Sequence, residues 1–373
     1  EPTTDSGCNT LNPRNYNWSR FFVYGTLPTT LTRIVAEALQ PLWGEPGQLV
    51  GPESVRNTGR ALSTLFDLGS VALVFLIGRR LYDERVGLLG ALLLALSALP
   101  IQLAHFFTVD SFTGFFVLLA VYWTVRAMQG GGALRFTMLG VSIGAAMACR
   151  FTMATLGLLG IVAVAVRLWE GRRPEHALSA GEVAGGHTLA TGELTADRRP
   201  RAAGSPYAVL ALLVLAGAVS LLSWRVLQPD AFVGTSFFDI RPEPRFLKNV
   251  QEIAALISGE VDSPPSQQWA SRTPYLFSWQ NMVIWGMGLP LGLAAWAGWA
   301  AAGWQIVRHR RLVHAIPWVW VAFYFAWQGG QFVMTMRYYA LLYGLLAMFA
   351  AWGLIRIADR GLQIADRRPR GSA

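Results

Sequence analysis

The sequence predicts an all-α, polytopic transmembrane bundle of about nine helices, with amphipathic helices lying on its outer face. Three observations carry that expectation. Of 373 residues, 53% are hydrophobic and only 14% are charged, where a soluble chain would carry about a quarter charged. The apolar residues come in blocks long enough to cross a hydrocarbon layer of ~30 Å, rather than in one-sided stripes. The basic residues collect in alternate loops, which orients the bundle.

Residues 1–57 contain no spanning segment and read as a non-cytoplasmic loop. Within them Leu31, Ile34, Val35, Ala38 and Leu39 recur at helical spacing over Leu31–Trp43, as in a helix lying on a membrane surface. Residues 58–360 form the multi-span domain. Its expected spans are Ala61–Leu81, Val86–Ala104, Ser111–Val125, Phe136–Cys149, Phe151–Val166, Tyr207–Leu227, Asn281–Val307, Ile316–Trp327 and Tyr338–Ile357. The fourth and fifth are separated only by Arg150, but one helix through both would reach ~46 Å, well beyond a bilayer core. Residues 170–206, rich in Gly, Ala, Arg and Pro, read as a loop on the cytoplasmic side. Residues 228–279 are a polar outer loop, in which Phe246, Val250, Ile253 and Ile257 mark a second amphipathic helix. Residues 361–373 are a basic cytoplasmic tail.

The loops around residues 79–85, 126–135, 167–201, 308–311 and 356–370 hold 19 of the 31 basic residues, and the positive-inside rule makes that side cytoplasmic. The net charge of +9 is thereby explained by topology, without nucleic acid. The remaining polar features fall on the other face. The chain begins at Glu1 rather than methionine, and parity puts that start outside. It therefore reads as part of a longer chain with an odd number of helices, most simply one, ahead of it. Cys8 and Cys149 fit neither a disulfide framework nor a metal pattern, and the five histidines show no ligand spacing. Carboxylates could still hold a divalent metal.

The outer face gathers Asp110 and His105 with Arg60, Arg150 and Arg337, each arginine at a helix end. Ionisable groups at a bilayer rim are costly to keep, and guanidinium groups fork the oxygens of an anion such as phosphate. The plainer alternatives are that Asp110 caps the following helix and that each arginine snorkels to headgroups. Asp67, about two turns inside the first span, must be paired, protonated or wet, and a structural pair with an arginine is the leading reading. The run Gln268–Tyr275, with Trp269 and Arg272, suits stacking on sugar rings, though interfacial aromatic belts have the same composition. The tryptophans of Trp285–Trp304 read as packing and belt.

Five stretches carry a family resemblance: FFVYGTLP (Phe21–Pro28), GRALSTLFDLGSVALVFLIGRRLY (Gly59–Tyr82), HFFTVDSFTGFFVLLAVY (His105–Tyr122), QWASRTPYLF (Gln268–Phe277) and MRYYALLYGLLAMFAAWGL (Met336–Leu354). In order and spacing the chain resembles the GT-C membrane glycosyltransferases, in particular family 39 and dolichyl-phosphate-mannose protein mannosyltransferase-like proteins of bacteria. The resemblance implies transfer of a sugar from a polyprenyl-phosphate donor to a protein, lipid or glycan acceptor, at the non-cytoplasmic face of a bacterial plasma membrane. By position it implies that Asp110 is the family's second acid, supporting a divalent metal or the acceptor site, and Asp110 and His105 are the candidate catalytic residues. Arg60 would meet the carrier phosphate, Arg337 and Tyr338 the donor, and Tyr24, Arg150, Trp269 and Arg272 the substrates more broadly. The family's first acidic motif, which follows its first helix, has no match here, since Asp5 stands in different surroundings. The other function class is a transporter or flippase of lipid-linked saccharides. Transporters show internal repeats and midplane polar groups. This chain shows no repeat and crowds its polar groups on one face, and only Asp67 points the other way. A non-catalytic membrane scaffold is a third class, and the outer arginines speak against it.

Overall fold

The computed structural model describes residues 24–42, 52–171, 205–234, 236, 238–261 and 264–366. The expectations placed on Asp5, Cys8, most of the 170–206 loop and the end of the basic tail lie outside them. Among the described residues thirteen α-helices run α1 Leu27–Leu39, α2 Pro52–Leu81, α3 Glu84–Ala95, α4 Ala98–Ala104, α5 Val109–Met128, α6 Ala133–Cys149 and α7 Gly157–Gly171, then α8 Pro206–Leu227, α9 Pro244–Ser258, α10 Leu276–Asn281, α11 Leu289–His309, α12 Ala315–Gly329 and α13 Ala340–Asp366. Among the described residues the architecture is all-α, joined by short 3-10 turns and one isolated bridge between Phe232 and Pro242. Five segments are long and apolar enough to cross a membrane: Ser54–Leu81, Val109–Met128, Phe151–Glu170, Pro206–Leu227 and Met336–Gln363. The bent pair α3–α4 makes a sixth. The chain is an integral membrane protein.

All nine apolar segments are helical, but two are broken where the sequence suggested one rod. The span Val86–Ala104 bends by 62° between α3 and α4. Pro100 is the reason: it has no N–H for the Leu96 carbonyl, and its ring would clash there if the helix ran straight through. The chain turns at Ser97, which adopts an extended backbone and ties its hydroxyl to the Leu93 carbonyl at 2.8 Å. The span Asn281–Val307 is interrupted by a π turn over Met282–Gly286 and by Gly288 at φ 84°, before Pro290 opens α11. Arg150 separates α6 from α7 as expected. Its backbone is extended (φ −151°, ψ 112°), and a 3-10 turn, Phe151–Leu156, follows it.

Helix α13 forms the centre. Its residues Leu341–Phe349 are almost wholly buried against α3, α5 and α11. Helices α11 and α12 are clamped by Trp299 and Trp318, whose rings stack 2° from parallel while each indole N–H donates to the other's carbonyl. Within Trp285–Trp304, Trp296 and Trp299 pack against the core, while Trp285 and Trp304 are exposed. Both amphipathic helices form, as α1 and α9. Helix α8 buries little of itself and faces lipid along most of its length.

Candidate functional site

The segments assigned to one face by parity meet at one end of the bundle. Tyr24 precedes α1, and its neighbour Gly25 donates its N–H to the Cys149 carbonyl at 2.9 Å. That approach requires glycine: a Cβ on residue 25 would strike the Ala148 carbonyl oxygen. Thr26 next donates its hydroxyl to Asp230 Oδ1 at 2.9 Å, so the 228–243 segment also fixes this entry. Arg225, buried at the end of α8, orders the same segment by donating to the carbonyls of Asp239, Pro229, Gly234 and Ser236.

Asp110 lies in the first turn of α5 and is 2% exposed. It does not cap the helix, since Thr108 holds the N-cap position and the Asp110 oxygens make no hydrogen bond. Arg150 Nη2 stands 3.4 Å from Asp110 Oδ1. The extended break after α6 is what turns this guanidinium inward, where it lies 4.6 Å from the Tyr338 ring centre and 5.9 Å from that of Tyr24. Arg337 donates to Tyr24 Oη at 2.6 Å and sits over the Tyr24 and Tyr338 rings at 5.9 and 5.6 Å. Burial raises the Tyr24 phenol above its ordinary value despite Arg337 and Arg150, so it remains a hydrogen-bond donor at neutral pH.

Of the residues read from sequence, the fold therefore brings Tyr24, Asp110, Arg150, Arg337 and Tyr338 together. Four others stand apart. His105 is exposed after α4 and places Nδ1 2.7 Å from the Ile101 carbonyl, one turn back. Arg60 is exposed on α2. Trp269 is half-buried at the end of a 3-10 turn, and Arg272 is exposed with its guanidinium 5.1 Å from the Phe277 ring. Asp67 departs from the expected structural pair: no arginine meets it among the described residues, and it lines a small cavity with Asp110.

The cluster opens into a cavity of about 560 Å³. Arg150, Tyr24, Tyr338, Tyr324 and Gln328 form its polar wall; Val250, Ile253, Ala254 and Ile257 of α9 form its apolar wall. An anion at Arg150 and an aliphatic chain along α9 could thus occupy it together. Tyr324 and Gln328 were missed in the sequence, because in an aromatic, apolar span they look like belt residues. The one available signal was Gln328, an uncharged polar side chain at the inner edge of a membrane segment.

A model of the family described as dolichyl-phosphate-mannose-protein mannosyltransferase matches residues 53–180. No curated protein matches the sequence. Among solved structures, apo ArnT from Cupriavidus metallidurans is similar with a TM-score of 0.53 at 15% identity, over 92% of this chain and 51% of that one. The same protein bound to undecaprenyl phosphate gives 0.52 at 15%, over 92% and 52%. The Archaeoglobus fulgidus oligosaccharyltransferase AglB, in complex with an inhibitory peptide and a dolichol-phosphate, gives 0.51 at 16%, over 95% and 45%. The chain thus spans about half the length of the solved proteins it matches. The GT-C resemblance read from the sequence is borne out, and at this identity the solved structures speak to the fold.

Proposed function

We propose that this chain is the membrane core of a glycosyltransferase that moves a sugar from a polyprenyl-phosphate donor to a protein, lipid or glycan acceptor. The observation that carries the reading is a half-apolar cavity walled by Arg150, Tyr24 and Tyr338, where Arg150 pairs with the buried Asp110 behind the wall and Arg337 donates to Tyr24. In the reaction the acceptor oxygen forms a bond to the anomeric carbon while the bond from that carbon to the phosphate oxygen breaks. Asp110 takes the acceptor's proton. Arg337 and Arg150 stabilise the phosphate dianion as it leaves, a charge that grows only as the bond breaks. Tyr24 and Tyr338 flank the guanidinium groups and hold them against the site. The polyprenyl chain lies along α9.

A divalent metal would take Asp110 as a ligand. Among the described residues no third acid, histidine or cysteine gathers there, so these residues do not make up a divalent centre and no step is assigned to one. His105 and Arg60 sit at the exposed rim, and Trp269 and Arg272 on the outer loop; there they would meet the acceptor or the headgroup side of the donor. The active face is the non-cytoplasmic one, in a bacterial plasma membrane, a reading supported by the described arginines of the basic loops, among them Arg80, Arg85, Arg135 and Arg167, which lie at the opposite end.

The test is transfer of label from polyprenyl-phosphate sugars in membranes containing the protein, against Arg150→Ala with Arg337→Ala. Label should pass into an acceptor with the native protein and not with the double variant. Label that crosses the bilayer still attached to its lipid would overturn the reading in favour of a flippase, to which the unpaired Asp67 would then belong.

A further inference from the structure

A second cavity of about 30 Å³ lies deeper in the bundle, large enough for one or two water-sized occupants. Four oxygen-bearing side chains line it: Asp67 and Ser70 from α2, and Asp110 and Ser111 from α5. Its other wall is apolar and includes Leu341 of α13. Both Asp110 oxygens and Ser111 Oγ are buried without a hydrogen bond. Their residues are 2% and 8% exposed, so bulk water does not satisfy them. The Ser70 hydroxyl donates to the Phe66 carbonyl at 3.0 Å, which leaves its lone pairs free to accept.

Charge decides what such a cavity suits. Arg150 at 3.4 Å offsets Asp110, and Arg337 is engaged with Tyr24. Neither arginine lines the cavity, so at the cavity itself Asp67 is a half-buried carboxylate with no ion-pair partner among the described residues, where an isolated charge is costly. Water alone would satisfy lone pairs but not that charge. A magnesium ion keeps several of its waters, for which a cavity of about 30 Å³ has no room.

We propose that this cavity binds one monovalent cation, sodium, between Asp67, Ser70, Asp110 and Ser111. The ion joins α2 to α5 and gives the oxygens of Asp110 the partner they otherwise lack. The site stands on its own geometry; it shares Asp110 with the glycosyltransferase reading, and its test reads ion binding and stability rather than transfer.

The experiment is thermal unfolding of the intact protein in lipid nanodiscs, in sodium chloride or choline chloride at equal ionic strength and pH. Sodium should raise Tm saturably by about 3–5 °C, the size expected when a ligand binds only the folded state. The rise should vanish in Asp67→Asn and persist in Glu37→Gln, whose site is an exposed pair with Arg33 on α1. In Ser70→Ala half-saturation should move to about tenfold more sodium, corresponding to about 1.4 kcal/mol. Radioactive sodium should bind at one ion per chain and be lost with Asp67, which decides the matter even if one variant folds poorly. Equal Tm in the two salts overturns the proposal, and so does a sodium effect that survives Asp67→Asn. Stability that follows pH but not sodium also overturns it, and identifies a proton site instead.

Discussion

The two ends of the bundle treat their polar groups differently. At the end formed by the arginine-rich loops, Arg85 donates to both oxygens of Asp359 at 3.0 Å. Asp83 accepts the Val86 N–H at 2.9 Å and so caps α3. Arg80 reaches Gln129 at 2.6 Å, and Arg135 donates to the carbonyls of Arg126 and Gly130. The buried His314 shares a 2.8 Å hydrogen bond with Tyr82 and packs edge-on against Trp352. At the other end, Asp110 is buried with no hydrogen bond, beside an arginine held chiefly by aromatic faces. Polar groups at the first end are consumed in fastening helix ends. At the second Arg225 and Thr26 also fasten the chain, but the Asp110 and Ser111 oxygens are buried without hydrogen bonds, which costs stability and is the mark of a site.

That contrast can be broken or sharpened by substitution. The largest effect should come from Asp110→Asn. It removes the proton acceptor, so transfer from a polyprenyl-phosphate sugar should fall by about 10²–10⁴-fold. The substitution also leaves the buried Arg150 without its carboxylate, which should cost about 3–5 kcal/mol of stability, so transfer is compared on protein that circular dichroism shows to be folded. A variant that keeps more than a tenth of native transfer would mean that the unsatisfied acid is not the base.

Gly25→Ala should come next. Its methyl group cannot coexist with the Ala148 carbonyl where the chain now passes, so Tyr24 must move away from Arg337. Transfer should drop about tenfold through a higher KM for the donor, since the phosphate-facing arginine loses its support. Restoration by a second substitution at Arg337 would contradict this account.

At the fastened end the effects should be on stability alone. Burial, with Arg356 and Arg311 nearby, lowers His314 to about 4. The imidazole is thus neutral when folded, whereas the unfolded chain titrates near ~6.5. Its contribution to stability is complete above that value, declines as pH falls through the interval and levels off below about 4. Native protein should therefore lose roughly 3 kcal/mol more than His314→Gln between pH 7 and pH 4, read from paired unfolding curves. Tyr82→Phe should cost about 1 kcal/mol and leave transfer untouched, as the loss of one neutral hydrogen bond does.

The smallest effect should be at Arg60. It stands exposed on α2, outside the cluster, so Arg60→Ala should alter transfer by less than about threefold, as a surface charge does. A loss as large as that of Asp110→Asn would move the carrier phosphate to the rim and shift the boundary between the two ends.

The sequence by itself determined the helical class, the apolar segments and the division of polar features between two ends. Composition, span length and loop charge are local or additive quantities, readable without a fold. It also named five members of the cluster, because an acid, two arginines and two tyrosines at helix ends are conspicuous in so apolar a chain. It did not separate Arg60 and His105 from Arg150 and Arg337. All four sit at helix ends, and which side of a helix end faces the bundle depends on how neighbouring helices pack. The bend at Pro100 and the π turn before α11 were written in prolines and glycines, yet hydrophobicity masked them. The pairing of Asp67 with the Asp110 cavity, and the place of Tyr324 and Gln328 beside Arg150, were decided only by tertiary structure. They join residues on different helices through packing, a relation that no spacing along the chain encodes.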